Sequence, residues 1–206
     1  MAAIPLSPAP APGEERSIAV ALVNTLLQPR GETLDLLPDG ATVTRWLRNH
    51  TATAPRPASV TRDQLTRVHE LRSAVRELFI ARAAGVRGPP RAVAAVNAAA
   101  SRAPHGVRLI WGGAGPRVKS VWPPDSSAFD RALATIAQDA IATLLGDDGE
   151  RLRLCEAHGC GRVFIRDHGR RLWCSRTCGD RVRFSRHYRK VHFTGGAAGR
   201  IGSHSL

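Results

Sequence analysis

The 206-residue sequence has no run that could cross a membrane as a helix: its long apolar helical pattern, residues 126–145, is interrupted by Asp130, Arg131, Gln138 and Asp139. It also has no export signal. The N-terminal MAAIPLSPAPAPGEER offers neither a basic start nor an apolar core of secretory length, so its thiols are expected to be reduced. Catalytic signatures are missing as well. His69-Glu70 opens a zinc-protease pattern, but no second histidine follows at the required spacing. Gly112, Gly113 and Gly115 have neither the Lys-Ser/Thr nor the strand-to-helix setting of a phosphate loop, and they suit a turn better. No Ser/His/Asp or Cys/His arrangement stands out, so no enzyme is expected.

Cysteine is confined to one place. All four lie within 24 residues, as Cys155 and Cys160 with four residues between them and Cys174 and Cys178 with three. Each pair can offer two thiolates from one tight turn, and the intervening segment is long enough to fold back as a short hairpin and join the pairs. Soft sulfur ligands at this spacing suit one structural Zn²⁺ in closed tetrahedral coordination, with no position left for a catalytic water. The alternatives are an iron–sulfur cluster, redox thiols or disulfides, with His158, His168 or His187 near enough to replace one cysteine.

Acidic residues are scarce in the same region. Residues 151–192 hold 12 Lys or Arg against 3 Asp or Glu, a net of +9 out of +13 for the whole chain. Arg181 to His192 contains no Pro or Gly and reads as a helix, with Asp180 placed to cap its first turn and Cys178 just ahead of it. Phe184, Tyr188 and Val191 would gather on one side, against the zinc knuckle. Arg183, Arg186 and Lys190, flanked by Arg189, would face a polyanion on the other. Arg170 and Arg171, in the segment between the pairs, are further candidates for nucleic-acid contact. Arg181 is another, although Arg162, Arg176 or Arg181 could instead neutralise a four-thiolate site of formal charge −2. Trp173 fits a small-module core residue better than a base-stacking platform.

The front half reads as mainly helical. Residues 1–13, rich in Pro and Ala, form a lead-in; residues 14–28 fit a helix through Ile18, Leu22 and Leu26, although Ile18, Val20 and Leu22 alone would also suit a strand. Pro38, Asp39 and Gly40 make a turn before a short helix with Val43, Trp46 and Leu47 inward. TATAPRPAS, residues 51–59, is linker-like. Thr61 to Gln64 is a capping box opening a helix that runs to Gly85, and Pro89-Pro90 open another. VRLIW and RVKSVW around GGAGP predict a β-hairpin, and Ser126 or Ser127 caps a long helix closed by Gly146. DDGE, residues 147–150, marks a boundary.

The stretch Trp173 to Arg181, WCSRTCGDR, with the upstream C-x4-C, Val163, Phe164 and Asp167, resembles the CGNR zinc finger. Asp180 stands where that family has Asn, exchanging an amide donor for a negative charge, and the second cysteine pair is tighter than in many members. ALVNTLL and LLPDG with a following Trp-Leu pair resemble the ABATE domain, the usual companion of such a finger. The resemblance implies a bacterial, stress-linked transcription regulator, cytoplasmic and nucleoid-associated. The expected fold is α+β: a mostly helical N-terminal domain with one β-hairpin (14–146), a small treble-clef-like zinc finger (151–192), and a tail (193–206). The expected function is zinc-dependent DNA binding through the basic helix. RNA binding and a zinc-stabilised protein-interaction module remain the alternatives. A homodimer and a small-molecule effector of the N-terminal domain stay open, and no membrane partner is expected.

Overall fold

The computed structural model describes residues 9–28, 32–51 and 56–193. Seven helices and three two-stranded antiparallel sheets are formed by these residues. In chain order they are α1 (Ile18–Val23), β1 (Leu26–Leu27), β2 (Leu34–Asp35), α2 (Gly40–His50), α3 (Arg62–Ala84), α4 (Pro90–Arg102), β3 (Gly106–Gly112), β4 (Gly115–Val121), α5 (Ala128–Leu145), α6 (Asp147–Arg151), β5 (Leu152–Leu154), β6 (Val163–Ile165) and α7 (Arg176–Phe193). The fold is α+β: a mainly helical front half followed by a small finger.

Local chemistry sets most helix ends. Asp39 caps α2 and Thr61 caps α3, each in a reciprocal capping box with the residue three positions on. Ser127 caps α5 through the Asp130 N–H, and Gly85 closes α3 in the left-handed conformation. Where the sequence predicts one helix over 14–28, the structure has only the six residues of α1. The Thr25 hydroxyl bonds back to the Leu22 carbonyl, and the chain turns into β1, which pairs with β2. The DDGE segment is not a loop: it forms α6, whose Asp148 carboxylate accepts from Arg16 at 2.9 and 3.0 Å. Of the linker-like segment 51–59, residues 52–55 lie outside the described residues, as do residues 1–8 of the lead-in and 194–206 of the tail.

The core brings together Val20, Leu22 and Val23 of α1, Val68, Val75 and Phe79 of α3, Val96 of α4, and Leu133 and Ile136 of α5. α3 and α5 run side by side in the same direction. Arg67 pairs with Asp130 near their N-terminal ends, and Arg82 reaches the Leu144 carbonyl near their C-terminal ends. The same core includes Leu152, Val163 and Ile165, so the β5–β6 hairpin of the finger is packed into the helical layer.

One charge is buried among these helices. Arg72, only 4% exposed, makes two 2.6 Å hydrogen bonds to Asp35 and a third to Thr25 Oγ1. Burial alone would raise the Asp35 pKa, but the bonds from Arg72 and from the Leu37 N–H outweigh it and hold this carboxyl below its ordinary value. Its stabilising contribution is therefore complete above the unfolded-state pKa of about 3.9 and is lost as pH falls through the lower folded value. Asp35→Ala, which strands the Arg72 guanidinium, should cost about 3 kcal/mol in urea unfolding at pH 7. The difference from the unsubstituted protein should shrink below about pH 4.

Candidate metal centre

The finger is built around the first cysteine pair. β5 and β6 pair in the register Leu152 with Ile165 and Leu154 with Val163, and residues 155–162 form the knuckle at their turn. The hairpin therefore flanks the first pair; the sequence reading placed it between the two pairs. Gly159 and Gly161, with φ of +67° and +64°, let the knuckle reverse direction where a side chain would be strained. After β6 the chain loops back to Cys174 and enters α7, which begins at Arg176, five residues earlier than the sequence suggests. The Ser175 hydroxyl accepts from the Cys178 N–H and acts as the cap. Cys178 thus lies inside the first turn of α7, and Asp180 is exposed in the next turn, bonded to Arg183 at 2.5 Å.

The four sulfurs lie within 4.8 Å of one another. Three of the separations are 3.5, 3.6 and 3.7 Å, between Cys160 and Cys174, Cys178 and Cys160, and Cys174 and Cys178. Sulfurs at about 2.3 Å from a tetrahedral ion stand about 3.8 Å apart, so the cluster has the dimensions of a zinc site. A disulfide would need sulfurs at about 2.05 Å. The outer contacts fit as well: Cys155 Sγ accepts from the Cys174 N–H at 3.4 Å, and Cys178 Sγ accepts from Arg181 at 3.2 Å. Arg181, whose role the sequence left open, is a donor to the cluster here. Arg162 is not: it pairs with Glu14 at 2.6 Å and donates to the Ala9 carbonyl. No histidine belongs to the cluster among the described residues, and His158, His168 and His187 are all exposed.

Four thiols this close cannot all ionise without a cation. Hydrogen bonding among the sulfurs pushes Cys174 and Cys160 up and Cys178 down; Cys155 is lowered to about 6. The α7 N-terminus and Arg181 favour the thiolate at Cys178. A divalent ion relieves the repulsion and displaces the remaining protons.

The finger is held against the front half by polar contacts absent from the sequence reading. The Asn24 side chain pairs with Val163 as a neighbouring strand would, donating to its carbonyl at 2.8 Å and accepting from its N–H at 2.9 Å. Glu14 Oε1 accepts from both Asn24 and Arg162 at 2.6 Å, and Arg76 donates to the Gly161 carbonyl at 2.7 Å. Residues 9–13, assigned to the lead-in on composition, also take part. Ala11 is buried beside the cysteines, Pro12 accepts from the Ile165 N–H, and at Gly13 (φ +101°) an added Cβ would meet Ile165 at 2.7 Å. No local sequence signal marks these contacts, which, the Glu14–Asn24 bond apart, join residues more than 80 positions apart.

The candidate nucleic-acid residues divide into two groups. Arg171 bonds to Asp167 and to the Trp173 carbonyl, Arg181 to Cys178, and Arg183 to Asp180 while lying 5.9 Å from the Trp173 ring. Arg170, Arg186, Arg189 and Lys190 are exposed. Trp173 is partly buried against the sulfur cluster with Val182. Contrary to expectation, Phe184, Tyr188 and Val191 do not pack on the knuckle. They are 77%, 55% and 54% exposed, because α7 leaves the finger after Val182 and runs into solvent.

A helical layer ending in a knuckle, a hairpin and a ligand-bearing helix around four sulfurs defines a zinc-finger protein of treble-clef-like outline. A family model described as "ABATE: Putative stress-induced transcription regulator" matches residues 16–147, and the CGNR zinc finger model matches residues 151–191. The chain belongs to the ABATE family and carries a CGNR zinc finger. No curated protein matches it. Its cofactor is one zinc ion. Hydrogen bonding among the sulfurs raises the Cys160 and Cys174 thiols, so zinc uptake has to displace protons from them. The apparent zinc affinity, read by competition with a chromophoric chelator, should fall by more than about tenfold for each pH unit below 7.

Proposed function

We propose that this is a zinc-dependent DNA-binding regulator in which Cys155, Cys160, Cys174 and Cys178 hold the ion and α7 is the element that meets DNA. The observation that carries this reading is the placement of α7. Its first turn is tied to the metal site through Cys178, and from Arg183 to His192 every residue is exposed. An 18-residue helix is about 27 Å long, enough to lie along a major groove. Arg186, Arg189 and Lys190 line it, Arg170 lies in the adjoining loop, and the region holds nine net positive charges. Arg171, Arg181 and Arg183 stiffen the scaffold and bring further positive charge to the same surface. Closed coordination by four cysteines leaves no ligand position for substrate, in keeping with a binding role rather than catalysis. Four reduced thiols fit the reducing cytoplasm, where nucleoid DNA is the available partner. Among the described residues no helix is long and apolar enough to cross a membrane.

A second reading, single-stranded RNA, is favoured by one observation. Phe184 and Tyr188, expected to be buried, are exposed on α7 and could stack on unpaired bases.

A selection from random duplex DNA with the zinc-loaded protein, at low and physiological salt, separates the readings. The DNA reading predicts a defined motif at both salts and, for Arg186→Ala, weaker binding with a salt slope smaller by about one. Recovery only of single-stranded competitor, abolished by Phe184→Ala and Tyr188→Ala, would replace it with the RNA reading. No binding to either nucleic acid at low salt would leave a protein-interaction module.

A further inference from the structure

The β3–β4 hairpin is the part of the molecule that the finger does not explain. It joins the C-terminal end of α4 to the N-terminal end of α5, with the His105 and Trp122 rings in tilted contact across its base at a centroid separation of 4.3 Å. Gly112 pairs with Gly115 across a two-residue turn, and neither strand has a second neighbour among the described residues. A free-standing two-stranded ribbon is marginal in water without something to cover one face.

The register separates its side chains sharply. Partners across an antiparallel pair share a face, so Val107, Leu109 and Trp111 stand with Ser120, Val118 and Pro116. The opposite face carries Arg108 directly across from Lys119, and Ile110 across from Arg117. Neither face is covered. Val107, Leu109, Trp111 and Val118 keep 65–75% of their surface in solvent. Single exposed apolar residues are ordinary, but a contiguous face of five, including a tryptophan, marks an interaction site.

We propose that this apolar face is the contact through which two copies of the chain associate. Three observations favour a second copy as the occupant. First, the face is self-complementary in a two-fold pairing, because apolar meets apolar while Arg108, Arg117 and Lys119 of each copy turn outward to solvent. Second, the area suits a weak, reversible pair. The exposed parts of four aliphatic side chains at about 60–120 Å² each and of a tryptophan at about 150–250 Å² give roughly 400 Å² per copy, about 800 Å² in total, the size of a transient interface. Third, the charges of the hairpin lie off the contact. Arg108, Arg117 and Lys119 all stand on the face opposite the apolar one, and the hairpin leads into the N-terminal end of α5, whereas the finger docks on the later half of α3 through Arg76. Nine of the thirteen net positive charges lie in residues 151–192, which follow the C-terminal end of α5. Pairing through the hairpins leaves both fingers free at the outer ends, whatever they bind.

The test is the mass of the zinc-loaded full chain by sedimentation equilibrium from 1 to 100 µM, beside Trp111→Ser and, as a control on the opposite face, Lys119→Ser. The monomer is 22.2 kDa. The expected result is a twofold mass for the unsubstituted chain and for Lys119→Ser. Trp111→Ser should dissociate with a constant raised more than about thirtyfold, with zinc content unchanged and with thermal unfolding unchanged when both chains are diluted to monomer. A monomer at every concentration would overturn the proposal, and so would a dimer that Trp111→Ser does not weaken. Binding of the monomeric chain to vesicles of mixed anionic and neutral phospholipid, lost in Trp111→Ser, would assign the face to a membrane surface instead.

Discussion

The structure depends on one shared element, the β5–β6 hairpin. On one side its turn is the knuckle that presents Cys155 and Cys160; on the other, Leu152, Val163 and Ile165 are part of the core under α1 and α3. A hairpin of three-residue strands has no stability of its own. It is held from above by the sulfur cluster and from below by helix packing, and the Asn24 amide closes its open edge by acting as a strand for Val163. Zinc and the hydrophobic core therefore stabilise the same six strand residues from opposite faces. The direction of α7 follows, because Cys178 fixes its first turn to that cluster.

The distribution of arginine shows how a chain with this much positive charge folds. Buried or half-buried guanidinium groups are each matched to an acceptor: Arg72 to Asp35, Arg162 to Glu14, Arg76 to a backbone carbonyl. Each leaves water only where a charge-assisted hydrogen bond offsets its desolvation. The cations of the second half of α7 are exposed, on a helix that makes no apolar contact with the body beyond Val182. Charge near the core thus specifies the docking of the finger, and charge along α7 supplies the surface available to a polyanion.

Much of this was legible in the sequence because its causes are local. The capping box at Thr61, the turn ahead of α2, the glycine-rich hairpin turn and the close cysteine pairs are all encoded within a few residues of where they act. The start of α7 lies five residues ahead of the expected one because Ser175, not Asp180, caps it. Only the position of Cys178 in the cluster decides between them. The burial of Arg72 is not legible, because helical periodicity cannot say that Asp35, 37 positions away, will be there to meet it. The Asn24–Val163 pairing was invisible for the same reason at 139 positions. Phe184, Tyr188 and Val191 show the opposite failure. An apolar stripe was correctly seen, but the inference that it must be covered within the chain does not hold for a helix that projects from a small module.

The claim that zinc site and helical core are one unit is tested most directly by backbone hydrogen exchange on the full chain with zinc bound and after chelation. The account predicts that metal removal strips protection from β5, β6 and the start of α7. It also predicts weakened protection at residues 18–28 and 72–79, which the hairpin covers. Loss confined to residues 155–193, with α1 and α3 unchanged, would show that the finger is an independent module resting on a core that does not need it.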